Sequence, residues 1–294
     1  PAKIDFAVCV FSAPWYVSQT RILQIQKPRE FKVSKQIFAK PIEEEANSFI
    51  TKHKNSADII EKNLMKISLN GYEVDSSFVF GKKARSMELC IYMSSVMQEL
   101  SPRLSHSINQ YFGEIPVYLH TLPFVAFGVL KDIFDAKSGF LLVDIGGEIT
   151  EISLVRKGFL EETASFARGG NFLIKRGASL FHLSFEEAGS LLKQYTSQSI
   201  DVLKASQLSG LIRQASNEWC RFFKNFLEDC AKTLSVPGCL FLTGGAAAAK
   251  EFGECVQDES LARFTFSGKP FIVKYLLPEV FRERFNFASN ADIN

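Results

Sequence analysis

Residues 140–155, which read FLLVDIGGEITEISLV, constrain the fold of this chain more than any other segment. They predict an apolar strand, a turn containing Gly146 and Gly147, and a second strand with alternating apolar residues. Glycines at such a tip let the backbone approach a phosphate and offer it N–H donors. Asp144, at the end of the first strand, could hold Mg²⁺ through water. An ordinary glycine turn has the same pattern, so the segment indicates a phosphate site only together with other motifs.

Composition is that of an ordinary globular protein. The chain has 294 residues and 33.0 kDa, with 46% hydrophobic and 22% charged residues, which is enough for two domains. Its formal net charge of +2 is too small to argue for nucleic-acid or anionic-membrane binding. We recognise no signal peptide, and no apolar run approaches the roughly 18–20 residues that a spanning helix needs. Pro1 already lies in a predicted strand, so we expect that upstream residues have been removed.

Cysteine and histidine patterns favour neither a disulfide framework nor a metal site. The six cysteines form no CxxC pair and mostly lie in apolar segments, which favours buried free thiols over disulfides. The four histidines are scattered, without an HxxxH or a Cys/His cluster. Neither GxSxG nor GxxxxGK[ST] occurs, so the sequence shows no sign of a hydrolase elbow or a P-loop.

Helix and strand signals divide the chain at about residue 97. Residues 17–97 predict a small α+β unit, with a helix from Pro41 to about Lys52 and a hairpin turn at Asn70-Gly71. Helices and strands then alternate. The longest helix is predicted at 203–234, with an apolar stripe of period 3.6, and Ser184-Phe185-Glu186-Glu187 predicts a capping box at the start of another helix. A strand ending in Thr243-Gly244-Gly245 is predicted to lead directly into a helix at 246–257, whose first N–H groups would offer a second anion site.

Three glycine motifs carry a resemblance to a known family. Asp144–Gly147 and Thr243–Gly245 lie about a hundred residues apart, with Gly169-Gly170-Asn171 between them. With the α+β unit, this layout resembles the bacterial FtsA/PilM group of actin-like proteins over nearly the whole chain. The resemblance implies an α/β fold of the actin-like (ribonuclease H-like) ATPase type, with two lobes and an inserted SHS2-type subdomain. It assigns 1–16 and 98–138 to the remainder of the first lobe, 17–97 to the insert and 139–294 to the second lobe.

The same resemblance implies ATP and Mg²⁺ as ligands and assigns a nucleotide site residue by residue. Asp144 would hold Mg²⁺ through water, and no catalytic residue is recognised. The second phosphate motif is matched by Asp144, Gly146, Gly147 and Thr150, and the loop that follows it by Gly169 and Gly170. Lys193 matches the contact to ribose or base, and Thr243, Gly244 and Gly245 match the adenosine motif.

Some positions depart from the family pattern, and the first phosphate motif would lie upstream of Pro1. Glu148 stands where the family prefers glycine, Gly189 where it prefers glutamate, and Lys193 is one place late. A Glu148 carboxylate about 4 Å from a phosphate would oppose binding by ~4 kcal/mol at an effective dielectric constant near 20. Alternatively, Glu148 points outward from the hairpin. Both interpretations stay open at the level of sequence.

The functional expectation follows from the resemblance. It implies an FtsA-like cytoskeletal or scaffold protein of bacterial cell division that binds ATP, with at most weak ATPase activity. Residues 17–97 would contact protein partners, and the protein would polymerise and lie in the cytoplasm or at the inner face of the cell membrane. The alternatives are a PilM-like type IV pilus assembly platform and a nucleotide-free pseudo-ATPase scaffold. A sugar or acetate kinase has less support, because no substrate-side Asp, Arg or His group is recognised.

Membrane contact is expected to be indirect, or to use a segment outside this chain. Residues 280–287 place Phe281 and Phe285 one helical turn apart beside two arginines. Eight residues are too few for an amphipathic anchor, so an ordinary surface helix is the favoured interpretation.

Overall fold

The computed structural model describes residues 4–53, 56–134, 139–232 and 234–276. They fall into two compact units, one of residues up to 129 with 159–163, the other of 130–158 and those from 164 onward. The strands are β1 Ala7–Phe11, β2 Tyr16–Lys32, β3 Ser56–Leu69, β4 Tyr72–Glu73, β5 Lys83–Met97, β6 Val117–Thr121, β7 Phe140–Ile145, β8 Thr150–Arg156, β9 Phe159–Phe166, β10 Cys239–Thr243 and β11 Ile272–Tyr275. The helices are α1 Lys35–Lys52, α2 Leu100–Phe112, α3 Leu122–Phe134, α4 Gly170–Phe181, α5 Phe185–Thr196, α6 Val202–Cys230 and α7 Lys250–Val256.

The described helices give no sign of a membrane span. Within the described ranges, no helix combines the length and the apolar character needed to cross a bilayer. Residues 280–287, with the predicted surface helix, lie outside the described residues.

The first unit contains an antiparallel sheet in the order β2-β5-β3-β4, with α1 packed against it. The predicted hairpin turn is confirmed, because Asn70 and Gly71 both have positive φ, 53° and 84°. The predicted start of the helix at Pro41 is wrong. The side chain of Ser34 caps the helix by accepting a hydrogen bond from Ile37 N at 3.2 Å, so α1 begins at Lys35 and Pro41 lies inside it.

A second, parallel sheet of the first unit pairs β1 with β6, and a buried carboxylate joins it to β3. Glu61, on β3, accepts hydrogen bonds from the Thr121 backbone N–H at 3.2 Å and its hydroxyl at 2.7 Å. It also accepts one from the Ser94 hydroxyl at 2.5 Å. These bonds compensate the cost of burying Glu61, which is only 2% exposed.

A five-stranded sheet has the order β11-β10-β7-β8-β9, and its strands β7, β8, β10 and β11 lie in the second unit. The predicted hairpin at 140–155 is confirmed, since β7 and β8 pair antiparallel with Asp144 opposite Glu151. On the other side β7 runs parallel to β10, which places Asp144 beside Thr243. Both predicted glycine-ended strands therefore finish next to each other at one edge of the sheet.

The long helix α6 supplies the core of the second unit. Asp201 caps it by accepting a hydrogen bond from Lys204 N at 3.0 Å, and its predicted apolar stripe is confirmed. The buried members are Leu208, Ile212, Ala215, Ser216, Trp219, Phe223, Phe226, Leu227 and Cys230. It ends at Cys230, earlier than the predicted 234. The guanidinium of Arg156 donates to the carbonyls of Leu234 and Ser235 at 2.6 and 3.1 Å, which satisfies these groups outside a helix.

The predicted helix at 246–257 begins later than expected. Gly244 has a φ of +97°, and the N–H groups of Ala246 and Ala247 donate to Ile145 O and Gly244 O at 3.3 and 3.1 Å. These bonds hold 246–249 in turns, so α7 starts only at Lys250. The predicted helix start directly after the glycines is therefore wrong, and an anion site at these glycines stays a prediction.

The expectation of free thiols is wrong for one pair of cysteines. Cys220 on α6 and Cys255 on α7 form a disulfide, with their Cα atoms 6.4 Å apart. The other cysteines, Cys9, Cys90, Cys230 and Cys239, form no disulfide within the described residues. Sequence spacing does not reveal the pair, because it depends on how two helices from separate segments pack.

Candidate functional site

A cavity of about 430 Å³ in the second unit collects residues from four separate segments. These are the tip of the β7–β8 hairpin, the first turns of α4, one face of α5 and the turns after β10. Five residues predicted from the sequence line it: Gly146, Gly147, Gly170, Lys193 and Gly245. The other predicted residues, Asp144, Thr150, Gly169, Thr243 and Gly244, are not among the lining residues.

Backbone hydrogen bonds lock the hairpin tip onto the start of α4. Gly170 N and Asn171 N donate to the carbonyls of Gly146 and Gly147, both at 2.8 Å. A Cβ at Gly169 would lie 2.3 Å from Gly147 O and 2.5 Å from Gly146 O. Only glycine fits there, so the Gly-Gly-Asn motif has a structural role at this junction. The N–H groups of Gly147 and Glu148 make no hydrogen bond to described residues, which leaves two donors at the tip.

Asp144 lies behind the tip, against the glycine that ends β10. A Cβ at Gly244 would be 2.5 Å from Asp144 Oδ1 and 2.3 Å from Ile145 O, so this position also requires glycine. Burial raises the pKa of Asp144 above its usual range. Within the described residues no hydrogen bond or ion pair reaches its carboxylate. A water-bound Mg²⁺ would supply the missing positive charge.

The structure shows the partners of the Glu148 carboxylate. Its side chain is largely exposed and turns toward α4, where Asn171 Nδ2 donates to Oε1 at 2.9 Å. Lys175 Nζ lies 3.5 Å from the same oxygen. The hydrogen bond from Asn171, with the charge of Lys175, lowers the pKa of Glu148. The carboxylate is thus held beside the hairpin tip by Asn171, which lines the cavity, although Glu148 itself is not a lining residue.

Thr150 is placed in the core and not at the cavity. Its side chain is fully buried, and its hydroxyl donates to Arg168 O at 2.6 Å. The same oxygen accepts a hydrogen bond from Trp219 Nε1 at 2.8 Å. Thr150 thus connects β8, the loop before α4 and α6, and its burial and these two bonds give it a structural role.

The cavity face of α5 contains residues that the motif comparison missed. The helix starts with the predicted capping box, in which Ser184 and Glu187 bond each other's backbone N–H. Its cavity-lining residues recur every three or four positions and include Phe185, Glu186, Gly189, Ser190, Lys193 and Thr196. Lys193 therefore lies on the same face as Gly189, four residues earlier. The helical period counted back from Lys193 would have identified Glu186 and Ser190.

The fold of this chain is similar to that of several solved structures. A chain of a PilM–PilN type IV pilus biogenesis complex matches with a TM-score of 0.64 and 17% identity, over 95% of this chain and 71% of that one. The fold is actin-like. The predicted α/β actin-like ATPase fold is thereby confirmed, whereas 17% identity carries no statement about activity. The domain boundaries and the SHS2 type of residues 17–97 stay predictions.

Other solved structures match more weakly. The ethanolamine utilization protein EutJ of Carboxydothermus hydrogenoformans has 22% identity and a TM-score of 0.41, over 57% of this chain and 54% of its own. MreB 5 of Spiroplasma citri bound to AMPPNP has 13% identity and a TM-score of 0.41, over 61% and 60%. We draw no argument from likenesses at this level. No protein-family model and no curated protein matches the chain.

Proposed function

We propose that this chain is an actin-like scaffold protein that binds ATP with Mg²⁺ in the cavity of its second unit. We further propose an FtsA-like role, in which it links division proteins to the inner face of a bacterial cell membrane. One observation carries the nucleotide part: the cavity unites Gly146, Gly147, Gly170, Lys193 and Gly245, which are up to about a hundred residues apart in the sequence.

The chemistry of the lining suits a nucleotide. At about 430 Å³ the cavity falls in the size range of small-ligand sites. The free N–H groups at the hairpin tip would donate to phosphate oxygens, and Asp144 would hold Mg²⁺ through water. Lys193 would contact the ribose or base, while Ile174 and Phe185 offer an apolar wall. Since phosphoryl transfer depends on precise positioning and we assign no catalytic residue, we expect at most weak hydrolysis.

A pilus platform is the second candidate. The likeness to a chain of the PilM–PilN complex supports it, since that complex is one of type IV pilus biogenesis and the matching chain shares the fold. As a pilus platform, the protein would bind a partner that resembles PilN. If it is a pseudo-ATPase, it would bind this partner without nucleotide. The two candidates share the proposed contact region, residues 17–97, and differ in the identity of the partner.

A thermal melt with Mg-ATP and Mg-ADP tests the nucleotide part. Ligand at a hundred times Kd should stabilise the fold by ~2.7 kcal/mol, which raises Tm by about 4 °C at this chain length. Gly189→Leu should abolish the shift, because the new side chain projects into the cavity. A Cβ at Gly189 meets only Ile174 Cδ1, at 3.7 Å, so we expect the helix itself to tolerate the change.

Gly210→Leu is the matched control. Gly210 lies on α6, where a Cβ meets nothing within 4 Å, so this variant should keep the wild-type shift. A wild-type protein that shows no shift with either nucleotide would remove the ATP-binding part and leave the nucleotide-free scaffold. Equal shifts in the two leucine variants would place any nucleotide site elsewhere.

A further inference from the structure

The contact between Glu148 and α4 lies where a polyphosphate would have to approach. Glu148 follows Gly147, a cavity-lining residue at the hairpin tip, and its carboxylate accepts a hydrogen bond from Asn171 Nδ2 at 2.9 Å. Asn171 itself lines the cavity. Lys175, one turn further along α4, pairs with the same carboxylate oxygen at 3.5 Å. The Glu148 carboxylate thus binds both the Asn171 amide, which lines the cavity, and the Lys175 ammonium group.

The first three backbone N–H groups of α4 already have acceptors within the protein. Gly170 N and Asn171 N donate to the carbonyls of Gly146 and Gly147, and Phe172 N donates to Gly169 O at 3.1 Å. The usual anion-binding groups of a helix start are therefore used within the protein. A phosphate at this place would depend on the two tip N–H groups, on Asn171 and on Lys175. Glu148 engages both of those side chains.

We propose that Glu148 is a built-in competitor of the nucleotide's phosphate groups. Its carboxylate occupies Asn171 and Lys175 and repels the polyphosphate, so the cavity favours nucleosides over nucleoside triphosphates. This inference rests on the proposed nucleotide site and names its selectivity. Exposed ion pairs are weak, and the side chains of Glu148 and Lys175 are 64% and 63% exposed. The contact is therefore exchangeable: it lowers triphosphate affinity and leaves the cavity open.

Glu148→Gln tests this selectivity, because it removes the charge and keeps the size of the side chain. Titration calorimetry on wild type and variant would measure Kd for Mg-ATP and for adenosine. We expect the variant to bind Mg-ATP at least fivefold more tightly and adenosine with less than a twofold change. Glu228→Gln is the matched control, since Glu228 is an exposed carboxylate on α6, paired with Arg263 at 3.5 Å and Lys224 at 3.9 Å and absent from the cavity lining. It should leave both affinities unchanged.

The outcomes separate this inference from the proposed function. If wild type and Glu148→Gln bind Mg-ATP with affinities less than fivefold apart, the nucleotide site stands and the competitor role is overturned. The same holds if adenosine gains as much as ATP, or if Glu228→Gln gives the same gain. Binding of Mg-ATP by the variant alone would support the competitor role and make the native chain a nucleotide-free scaffold. If neither protein binds ATP or adenosine, both proposals fail.

Discussion

Thr150 shows how a residue of a ligand motif can serve the core instead. From the sequence it belongs to the phosphate motif that includes Asp144, Gly146 and Gly147. In the structure its hydroxyl donates to Arg168 O and accepts from Trp219 Nε1. The motif alone does not predict this role, because the hydrogen-bond partners of Thr150 lie 18 and 69 residues away in the sequence.

Replacing Thr150 by valine should therefore lower stability and not merely ligand affinity. The change keeps the shape but leaves the buried Arg168 carbonyl and Trp219 N–H without partners, at about 1–3 kcal/mol for each group. We expect urea denaturation to show a loss of about 2–4 kcal/mol. Thr150→Ser, which retains the hydroxyl, should recover most of it. A valine variant within about 0.5 kcal/mol of wild type would contradict the assigned role.

Glycines were the most predictable residues of the site, and charged residues the least. Gly169 and Gly244 belong to the glycine motifs that carry the resemblance, and the structure gives the physical reason for them, because a Cβ at either position would collide with backbone. Glu148 could not be assigned from sequence. Whether its carboxylate faces a phosphate or turns away depends on Asn171 and Lys175, which only the packing of α4 against the hairpin brings close.

At the scale of elements, sequence patterns predicted those helices and strands that depend on residues close together in the sequence. The β7–β8 hairpin, the capping box of α5 and the apolar stripe of α6 all agree with the structure. The late start of α7 could not be predicted, because the N–H of Ala246 donates to Ile145 O, a carbonyl on a neighbouring strand. The predicted bounds of a helix were wrong where a hydrogen bond to another segment replaced one within the helix.

A prediction about partners concerns the sheet β2-β5-β3-β4 and its edge strand β4. Tyr72 on β4 and Phe78 in the following turn are 78% and 69% exposed, and exposed aromatic residues are enriched in protein contacts. If residues 17–97 bind partners through this edge, the double variant Tyr72→Ser, Phe78→Ser should retain at least fivefold less partner protein. Affinity purification from the source cells, quantified by mass spectrometry, measures this.

The control for the partner experiment is Tyr111→Ser. Tyr111 is 81% exposed on α2, outside the proposed contact region, so its loss should leave partner recovery unchanged. All three positions are on the surface, and we expect stability to change by less than about 0.5 kcal/mol. Undiminished recovery with the double variant, or equal loss with the control, would count against this contact surface.

For the whole molecule, the resemblance of a few motifs predicted the fold correctly. Two glycine-ended strands finish side by side, as Asp144 and Thr243 are neighbours in register, and the fold is actin-like. The shape of the site was beyond the sequence, because the cavity needs four segments to meet. The disulfide between Cys220 and Cys255 was also missed, since it reports the packing of α6 against α7.

The central claim is that a nucleotide binds in the cavity of the second unit. Photoaffinity labelling of the full-length protein with an azido-ATP and Mg²⁺, followed by peptide mapping, tests it most directly. The account predicts that label appears in peptides containing α5, Phe185–Thr196, or residues 245–249, and that excess ATP prevents it. Label confined to the first unit, or label that excess ATP does not reduce, would contradict the account.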